Sequence, residues 1–567
     1  MNAPDSAPTI VIVGGVAGGA SAATRARRMN ERARIILFEK DSHVSFANCG
    51  LPYYLGEEIA ERDKLLVATP QMLERRFGLD VRVRHEVIGI DRPRKVVRVR
   101  QRDTEAVIEQ AYDKLILAPG ASPVVPPIAG IDAPNVMTLR NLEDTDRIKA
   151  RLTAATKPRR AVVVGAGFIG LEMVEQLAGL GIAVTLVELM PQVLPLLDAE
   201  MAQPLEAAMR ARGVDVRVGD AVTQFELGDD GEATAALLKG GDRIEAGLFI
   251  IGIGVRPNVQ LAKDAGLALG PSGGIAANGV GQTSDPDIYA VGDAAEYTYG
   301  PTGQPLRVPL AGPANRAGRI AGEHAATGHA TPQAPVLGTS IVRVFDTTAA
   351  MTGLTRKLAA RLGIHARSTI IIANHHAGYY PGAQPITLKL VYAPDTGKVL
   401  GAQAIGGEGV DKRIDVIATA MTMGATVRDL AGLDLAYAPP FGSAKDPVHM
   451  AAFAACNELD GHVRFLDPDS DLSGYQVVDV RTPAEVAKAP LADAPHAVAI
   501  PLDELRERLD ELDPDRPTVT SCASGLRSYV AARILMQRGF ADVYDLAGAA
   551  TVRARAVAAR AASTVTV

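Results

Sequence analysis

The chain has 567 residues, enough for three or four domains with sizeable cores. Its net charge of -6 and its lack of basic blocks exclude a typical nucleic-acid-binding protein, and no apolar run approaches the ~20 residues of a membrane span. With no signal-peptide pattern at the N-terminus and only three cysteines, we expect a cytoplasmic protein without a disulfide framework, and no metal site.

The first predicted element is Thr9–Val13, an apolar run typical of a buried parallel strand. It leads into the turn Gly14-Gly15-Val16-Ala17-Gly18-Gly19 and a predicted helix over Ala20–Met29. Glycines permit a tight turn, and a helix N-terminus can hold a pyrophosphate, although Val16 replaces the middle glycine of the usual G-x-G-x-x-G. A second strand, Arg34–Phe38, ends at Glu39, whose carboxylate can accept ribose hydroxyls.

The connection after this unit, Ser45-Phe46-Ala47-Asn48-Cys49-Gly50, contains one cysteine with no partner nearby. In a flavin-binding fold this connection runs from the ribose towards the reactive ring, so Cys49 can reach a bound flavin. The next cysteine is Cys456, which excludes a Cys-x4-Cys dithiol. We therefore predict one redox thiolate whose partner sulfur comes from a substrate, a sulfenic acid or a persulfide; the alternative is a buried cysteine that only packs.

A second nucleotide unit begins at Ala161–Val164 and continues into Gly165-Ala166-Gly167-Phe168-Ile169-Gly170. Its second strand, Val184–Val187, ends at Glu188. Two such fingerprints, each with an acidic residue about twenty positions on, indicate one flavin and one nicotinamide dinucleotide.

The nicotinamide cofactor is predicted to be NADH in preference to NADPH. The Glu188 carboxylate would repel a 2′-phosphate, and Leu189 and Met190 supply no cation. Arg210 or Arg212 on the next helix is expected to allow residual NADPH activity.

Further along the chain, Thr283–Asp293 reads as a strand that ends in Gly292-Asp293. This placement lets the Asp293 carboxylate bond the ribityl chain of a flavin, the alternative being a helix cap. Leu115–Gly120 and Ile250–Pro257 are predicted crossovers between a flavin domain and an inserted nicotinamide domain.

The pattern changes near the C-terminus, where Asp467–Asp471 indicates an acidic linker and Tyr475–Arg481 a new strand. Another strand, Pro517–Ser521, runs into Cys522, and a helix is predicted from about Tyr529. A cysteine between a strand and a helix N-terminus, with Arg527 close by, favours a thiolate and can hold an anion or sulfane sulfur. Cys456, at an apolar helix end, is predicted to be inert packing.

Residues 1 to about 450 resemble the flavoprotein disulfide reductases with two dinucleotide domains. They are most similar to the single-cysteine branch, which includes coenzyme A-disulfide reductase, NADH oxidase and NADH peroxidase. Within that branch, four motifs are most similar to the coenzyme A-disulfide reductases: the first glycine turn, Ser45–Cys49, Leu139–Asp144 and Tyr437–Pro440. For FAD the resemblance implies Gly14, Val16, Ala17, Gly18, Gly19, Glu39, Lys40, Val87, Ala118, Gly120, Arg140, Gly292, Asp293 and Ala311. For NAD it implies Gly165, Gly167, Phe168, Ile169, Gly170, Glu188 and Gly254.

The same resemblance implies that Cys49 is the redox thiol and that Tyr379 and Tyr437 reach the active site of the partner subunit in a homodimer. Coenzyme A contacts are implied at Ser21, Arg25, Arg28, Ser45, Asn48, Arg76, Asn315 and Lys445. The segment from about 470 to 550 resembles the rhodanese sulfurtransferase domain, through Asp479-Val480-Arg481, Ala499–Leu502 and the cysteine loop.

The expected fold class is α/β: two Rossmann-like dinucleotide-binding domains, an α+β dimerisation domain and a C-terminal α/β rhodanese domain. Predicted boundaries are 1–120 and 256–335 for the FAD-binding domain, 121–255 for the NAD-binding domain, 336–450 for dimerisation, 451–470 for a linker and 471–567 for the rhodanese-like domain.

The predicted function is NADH-dependent reduction of coenzyme A disulfide, persulfide and polysulfide at Cys49, fused to a sulfurtransferase whose catalytic residues are Cys522 and Arg527. The predicted partners are small-molecule substrates and a second copy of the chain. An NADH oxidase or peroxidase that cycles through sulfenic acid, or a redox-sensing sulfur carrier, remains an alternative.

Overall fold

The computed structural model describes residues 7–564, and its first domain is built on a parallel five-stranded sheet. Its apolar strands are buried between covering layers, as expected for a parallel sheet. From edge to edge the sheet contains Ile288–Ala290, Lys114–Leu117, Thr9–Val13, Arg34–Phe38 and Asp80–Arg82. Because Ile288–Ala290 joins strands from the start of the chain, this domain is formed by two separate segments.

The inserted domain repeats this architecture. Its central parallel sheet contains, in spatial order, Asp215–Val218, Ala183–Glu188, Arg160–Val164, Leu248–Ile251 and Val136–Thr138. Its main helices are Leu142–Thr153, Phe168–Gly179 and Ala199–Ala211. The two crossovers lie side by side, since Ala121–Pro123 pairs antiparallel with Val255–Pro257.

The third domain has an antiparallel sheet in the order Ser340–Val344, Thr347–Gly353, Val399–Gly406, Pro385–Tyr392 and Arg367–Asn374. The helices Val410–Thr422 and Pro447–Leu459 pack on it through a shared apolar cluster. The stretch 451–470, predicted as a linker, therefore begins inside a helix that belongs to this domain. Alanines at helical spacing, at 451, 452 and 455, bury that face.

The last domain has a parallel sheet in the order Phe465–Leu466, Val543–Leu546, Thr518–Ser521, Gln476–Asp479 and Val498–Ala499. Its helices are Pro483–Lys488, Leu526–Gln537 and Ala549–Thr564. The predicted acidic linker is held in place, because Asp467 forms an ion pair with Arg356 of the third domain at 3.0 Å.

The final helix, Ala549–Thr564, packs against Ala199–Ala211 of the inserted domain. Val552 shares an apolar cluster with Ile370 of the third domain, and Arg555 donates a hydrogen bond to the Thr387 hydroxyl at 3.0 Å. The C-terminal domain is thus fixed to the body of the protein.

Two helices of the first domain cross at a seam of small residues. Helix Ala17–Met29 packs on Ala311–Thr327, and a Cβ atom added at Gly318 would lie 2.1 Å from the carbonyl oxygen of Gly18. Only glycine allows this backbone approach.

The other regular elements are mostly short. The remaining helices are Leu51–Leu55, Pro70–Phe77, Gln260–Asp264, Arg356–Arg361 and Val427–Ala431. The remaining strands are His85–Asp91, Val96–Gln101, Val107–Ala111, Val222–Leu227, Ala233–Leu238, Arg243–Glu245, Tyr297–Thr298 and Pro305–Leu306. Among residues 7–564, no helix combines the length and the apolar character that crossing a bilayer requires.

Candidate functional site

The first glycine turn forms the tight bend that a dinucleotide requires. Gly14 has a φ of +93°, and a Cβ there would lie 2.1 Å from the Ala118 carbonyl oxygen of the neighbouring strand end. A Cβ at Gly19 would lie 1.8 Å from the Gly14 oxygen. The helix that follows begins at Ala17, three residues earlier than predicted, and no side chain caps it, so its first N–H groups are available to a pyrophosphate.

Val16, which replaces the middle glycine of the usual fingerprint, does not occupy the space beside the first glycine turn. Its half-buried side chain packs against the apolar cluster that includes Phe46 and Leu51. The valine therefore acts as a packing residue at the join between the glycine turn and the Cys49 segment.

The two acidic strand ends have the same geometry. Glu39 accepts backbone hydrogen bonds from Gly15 and Asp41 at 2.8 and 2.9 Å. Glu188 accepts them from Ala166 and Met190 at 2.7 and 2.8 Å. Each carboxylate is thereby held beside its glycine turn, where a ribose would lie.

The second unit offers a more open cradle. Gly165 has a φ of +102°, and a Cβ at Gly170 would lie 1.9 Å from the Gly165 oxygen, whereas a Cβ at Gly167 or Gly254 would meet nothing within 4 Å. The helix N-terminus at Phe168 has no side-chain cap. Phe168 and Ile169 pack against the domain core. The space before this helix fits the pyrophosphate of a nicotinamide dinucleotide.

Around Glu188, Leu189 and Met190 are exposed apolar side chains. The two arginines expected to reach this region are held elsewhere. Arg210 binds Glu206, and Arg212 binds Asp346. The expected source of residual NADPH activity is thus absent from this geometry.

A charged cluster at the end of strand Ile288–Ala290 fits the polar part of a flavin dinucleotide. Burial raises the pKa of Asp293, and the nearby Arg140 and Arg307 oppose this shift. Among the described residues the Asp293 carboxylate accepts no hydrogen bond, and Arg307 Nη1 is buried without a partner. Unpaired polar groups of both signs in one place indicate a site built for a polar ligand.

The other residues expected to contact FAD surround this region in different ways. Gly120, with a φ of +66°, lies beside the Arg140 guanidinium, and Ala311 starts a helix that has no side-chain cap. Lys40 is exposed. The Val87 side chain is buried in the domain core, so only its backbone is available to a ligand.

Cys49 is exposed in the short helical turn Asn48–Gly50. Its thiol lies 3.8 Å from the Asn48 Oδ1 atom, to which it donates. Partial burial raises the pKa of this thiol, and the charges of Glu172 and Asp293 raise it further. The cysteine therefore lies close to the polar cluster around Asp293, and its surroundings favour the protonated form.

Glu172 is a site residue that sequence reasoning missed. It lies on helix Phe168–Gly179 of the inserted domain, and burial raises its pKa to about 7. The Tyr53 hydroxyl donates to it at 3.4 Å. Its signal in the sequence is a carboxylate inside an otherwise apolar stretch, Phe168–Met173, directly after a glycine turn.

Part of the residue set implied for coenzyme A meets along the seam between helices Ala17–Met29 and Ala311–Thr327. Ser21 donates to the Asn315 amide oxygen at 2.6 Å. Arg25 is held by Glu323 at 2.5 Å, so its charge is already compensated.

The other implied contacts are more widely distributed. Arg28 and Arg76 have exposed side chains. Ser45 adopts a left-handed backbone with a φ of 48°, which sets the direction of the segment towards Asn48. Lys445 is exposed on the third domain, and no hydrogen bond or ion pair among the described residues links it to the Cys49 region.

Tyr379 and Tyr437 are brought together on the surface of the third domain. Their hydroxyl oxygens lie 2.9 Å apart, and the side chains are 77% and 48% exposed. The shared hydrogen bond raises the pKa of Tyr379. Tyr380 and Phe441 are exposed on the same domain. Exposed aromatic side chains of this kind are typical of a protein interface.

Cys522 lies between strand Thr518–Ser521 and helix Leu526–Gln537, which begins three residues before the predicted start. The thiol is buried and accepts a hydrogen bond from the Gly525 N–H at 3.1 Å. Arg527 is near, but its guanidinium binds Glu485 through two hydrogen bonds of 2.6 and 2.8 Å. The loop thus stabilises sulfur through backbone N–H groups, while the arginine charge is compensated.

The remaining cysteine, Cys456, is partly buried against the apolar cluster of the third domain. Burial raises the pKa of its thiol. These surroundings fit the predicted packing role.

Comparison with protein families divides the chain into the same parts. Residues 8–319 match the pyridine nucleotide-disulphide oxidoreductase model, and 339–447 match the dimerisation domain of the same group. Residues 466–551 match the rhodanese-like domain. The predicted fold class is confirmed.

Among curated proteins, the chain is 37% identical to coenzyme A disulfide reductase of Staphylococcus aureus over 448 residues, which cover 79% of this chain and 100% of that protein. Among solved structures, reduced Bacillus anthracis CoADR-RHD shares 46% identity over 98% of this chain and 99% of that one, with a TM-score of 0.93. An NAD-dependent persulfide reductase from A. fulgidus shares 37% identity over 96% of this chain and 99% of that one, with a TM-score of 0.89.

The water-forming NADH oxidase from Lactobacillus brevis is more distant. It shares 29% identity over 80% of this chain and 100% of that one, with a TM-score of 0.76.

Proposed function

The chain belongs to the pyridine nucleotide-disulphide oxidoreductases, and on that premise we propose that it reduces coenzyme A disulfide, coenzyme A persulfide and polysulfide at Cys49 with electrons from NADH. The observation that carries the proposal is a single exposed cysteine beside the polar cluster of Asp293, in a chain that also presents Cys522 in a rhodanese-like loop. A second thiol for an internal dithiol cycle is missing near Cys49 among residues 7–564.

The bound cofactors are FAD on the first unit and NADH on the second. Glu39 and Asp293 would hold the ribose and the ribityl chain of FAD, and Glu188 the adenosine ribose of NADH. When bound, FAD supplies electron transfer between the nicotinamide and the cysteine sulfur.

The chemistry of Cys49 is thiol exchange. Once Cys49 has lost its proton, its thiolate attacks one sulfur of a coenzyme A disulfide. The S–S bond of the disulfide breaks, one coenzyme A thiolate leaves and takes up a proton, and Cys49 remains in a mixed disulfide. Tyr379 and Tyr437 of the partner subunit in a homodimer would donate protons to the departing thiolate. Ser21, Asn48, Arg76 and Lys445 are proposed to bind coenzyme A, with Arg28 near its phosphates.

The C-terminal domain would deliver sulfane sulfur to this reaction. Cys522 accepts the sulfur as a persulfide that the Gly525 N–H stabilises, and coenzyme A carries it to Cys49. The cytoplasmic location expected from the cysteine content is part of the same proposal.

The test is steady-state NADH oxidation with coenzyme A disulfide, polysulfide, oxygen and peroxide as acceptors. We expect disulfide and polysulfide to support turnover, and Cys49→Ser to abolish it while the flavin absorbance is retained. Cys456→Ser, which changes a packing cysteine, serves as the matched control. Faster turnover with oxygen or peroxide would support an NADH oxidase or peroxidase, and no turnover with any acceptor would support a redox-sensing carrier.

A further inference from the structure

Two cations lie near the sulfur of Cys522, and each is bound by a carboxylate. The charge of a Cys522 thiolate would contribute to raising the pKa of both Arg481 and Arg527, which places both guanidinium groups near it. Arg481 binds the buried Asp479 at 2.6 Å, and Arg527 binds Glu485 at 2.6 Å. Each guanidinium is thus already paired with a carboxylate, which reduces its attraction for an anionic sulfur donor.

Glu485 is fixed in this position by a second set of contacts. It closes a capping box at the start of helix Pro483–Lys488, where its Oε2 atom accepts from the Thr482 N–H at 2.9 Å and from the Thr482 hydroxyl at 3.0 Å. The Arg527 guanidinium, with these bonds, lowers the pKa of Glu485 to about 2. The carboxylate is therefore ionised over the whole physiological range.

The rest of the loop carries no side-chain charge. Between Cys522 and Arg527 the sequence is Ala523-Ser524-Gly525-Leu526. Leu526, the first residue of its helix, is 66% exposed, whereas Cys522 is 1% exposed. The loop therefore carries an exposed apolar side chain four residues after its buried thiol.

These features discriminate between two kinds of sulfur donor. Thiosulfate binds as a dianion and leaves as sulfite. Both the bound donor and the leaving group therefore need positive charge that is not already paired with a carboxylate. An organic persulfide leaves as a single thiolate, and its carbon chain can pack on Leu526. We propose that Cys522 takes sulfane sulfur from organic persulfides carried on thiols and rejects thiosulfate, with Glu485 as the specificity-determining residue. This inference rests on the sulfur-transfer function proposed above.

The transfer step is balanced without an added oxidant. The Cys522 thiolate attacks the terminal sulfur of R–S–S–H, and a new S–S bond forms as the S–S bond of the donor breaks. The departing R–S⁻ takes the electron pair and then the proton of the transferred sulfur. Cys522 is left as a persulfide anion, which the Gly525 N–H can stabilise.

The test uses full-length, FAD-loaded Cys49→Ser protein, in which sulfur added to Cys522 is not removed by the reductase. The rate of sulfur addition is measured by intact mass with thiosulfate or cysteine persulfide, a small organic persulfide without phosphate groups, as the donor. In the variant that also carries Glu485→Gln, Arg527 loses its counter-charge while the capping box is retained, because glutamine also closes such a box. Glu504→Gln, which removes one of the two carboxylates that pair with the exposed Arg508, is the matched control.

We expect cysteine persulfide to load the parent protein at least about tenfold faster than thiosulfate, the effect of about one charge-assisted hydrogen bond. Glu485→Gln should raise the thiosulfate rate about tenfold, the effect of one added charge-assisted hydrogen bond. Glu504→Gln should change neither rate. A purely structural role of Glu485 would lower both rates together.

Equal rates with the two donors in the parent protein, an unchanged thiosulfate rate in Glu485→Gln, or no sulfur addition from either donor would overturn the inference. Coenzyme A disulfide reduction is measured in parallel with Cys49 intact. Its absence would contradict the proposed reductase function, while the preference of Cys522 between donors is measured independently.

Discussion

At the scale of single residues, Glu172 controls the charge around Cys49. Burial raises the pKa of Glu172 to about 7. Partial burial raises the pKa of the Cys49 thiol, and the negative charge of Glu172 raises it further. Glu172→Gln should therefore lower the Cys49 pKa, because a neighbouring negative charge is removed. The measurement is the pH dependence of Cys49 alkylation in the FAD-loaded protein.

A matched control for this experiment is Glu74→Gln, which changes an exposed carboxylate on helix Pro70–Phe77. The control should leave the alkylation profile unchanged. An unchanged profile in Glu172→Gln would show that this carboxylate does not act on the thiol. Only a shift of the Cys49 alkylation profile towards lower pH would agree with the position of Glu172.

We predict that residues 188 and 189 determine the choice between NADH and NADPH. Glu188 is fixed by two backbone N–H groups, and Leu189 is exposed beside it. Wild type should have a higher kcat/KM with NADH than with NADPH. Glu188→Ala combined with Leu189→Arg should shift the ratio towards NADPH by about a hundredfold, since one repulsion is removed and one charged hydrogen bond is gained.

The single variant Leu189→Gln, which keeps Glu188 and adds no charge, is the control for the coenzyme experiment. A wild-type enzyme that prefers NADPH would contradict the assignment of Glu188. So would a double variant whose preference for NADH is unchanged.

At the scale of elements, the seam between helices Ala17–Met29 and Ala311–Thr327 depends on close backbone contact. A Cβ at Gly318 would lie 2.1 Å from the Gly18 oxygen. Gly318→Ala should destabilise the first domain by about 1–3 kcal/mol and reduce FAD retention, because the helices must separate. The measurements are the denaturant midpoint and the flavin content.

Gly179→Ala is the control for this packing effect. Gly179 also lies in a helix, but a Cβ there would meet nothing within 4 Å. This substitution should be neutral or slightly stabilising. Equal losses in both variants would show that the seam is not the cause.

The strands of the first unit, Thr9–Val13 and Arg34–Phe38, could be predicted to their ends, since each is one polar residue followed by four consecutive apolar residues. Helix starts at Ala17 and Leu526 were placed three residues late, because glycine turns hide them. The Arg527–Glu485 pair was missed because its members lie 42 residues apart, and local patterns do not report tertiary ion pairs.

At the scale of the whole molecule, the tyrosine pair predicts a catalytic homodimer. Replacing Tyr379 and Tyr437 by Phe should slow reduction of the substrate sulfur about a hundredfold, the lower contribution of a general acid, while NADH still reduces the flavin at the wild-type rate. Stopped-flow absorbance separates the two half-reactions.

Tyr380→Phe is the control for the tyrosine pair, because it removes a neighbouring exposed hydroxyl. The oligomeric state is measured by light scattering on the same samples. A monomer in solution, or equal slowing of both half-reactions, would contradict the role across subunits.

The contacts of the final helix, Ala549–Thr564, limit how sulfur could be transferred from Cys522 to Cys49. Its first turn donates to the Cys522 loop, from the Ala550 N–H to the Cys522 oxygen at 3.0 Å and from the Thr551 hydroxyl to the Ala523 oxygen at 2.8 Å. Further along, Arg555 binds the sheet of the third domain. The C-terminal domain is therefore fixed to the body of the protein and is not a separate unit that moves to the flavin on a flexible linker. On the sulfur-transfer function proposed above, the carrier thiol itself has to move between the two cysteines. We then expect the length of its chain, such as the pantetheine chain of coenzyme A, to limit which thiols can serve.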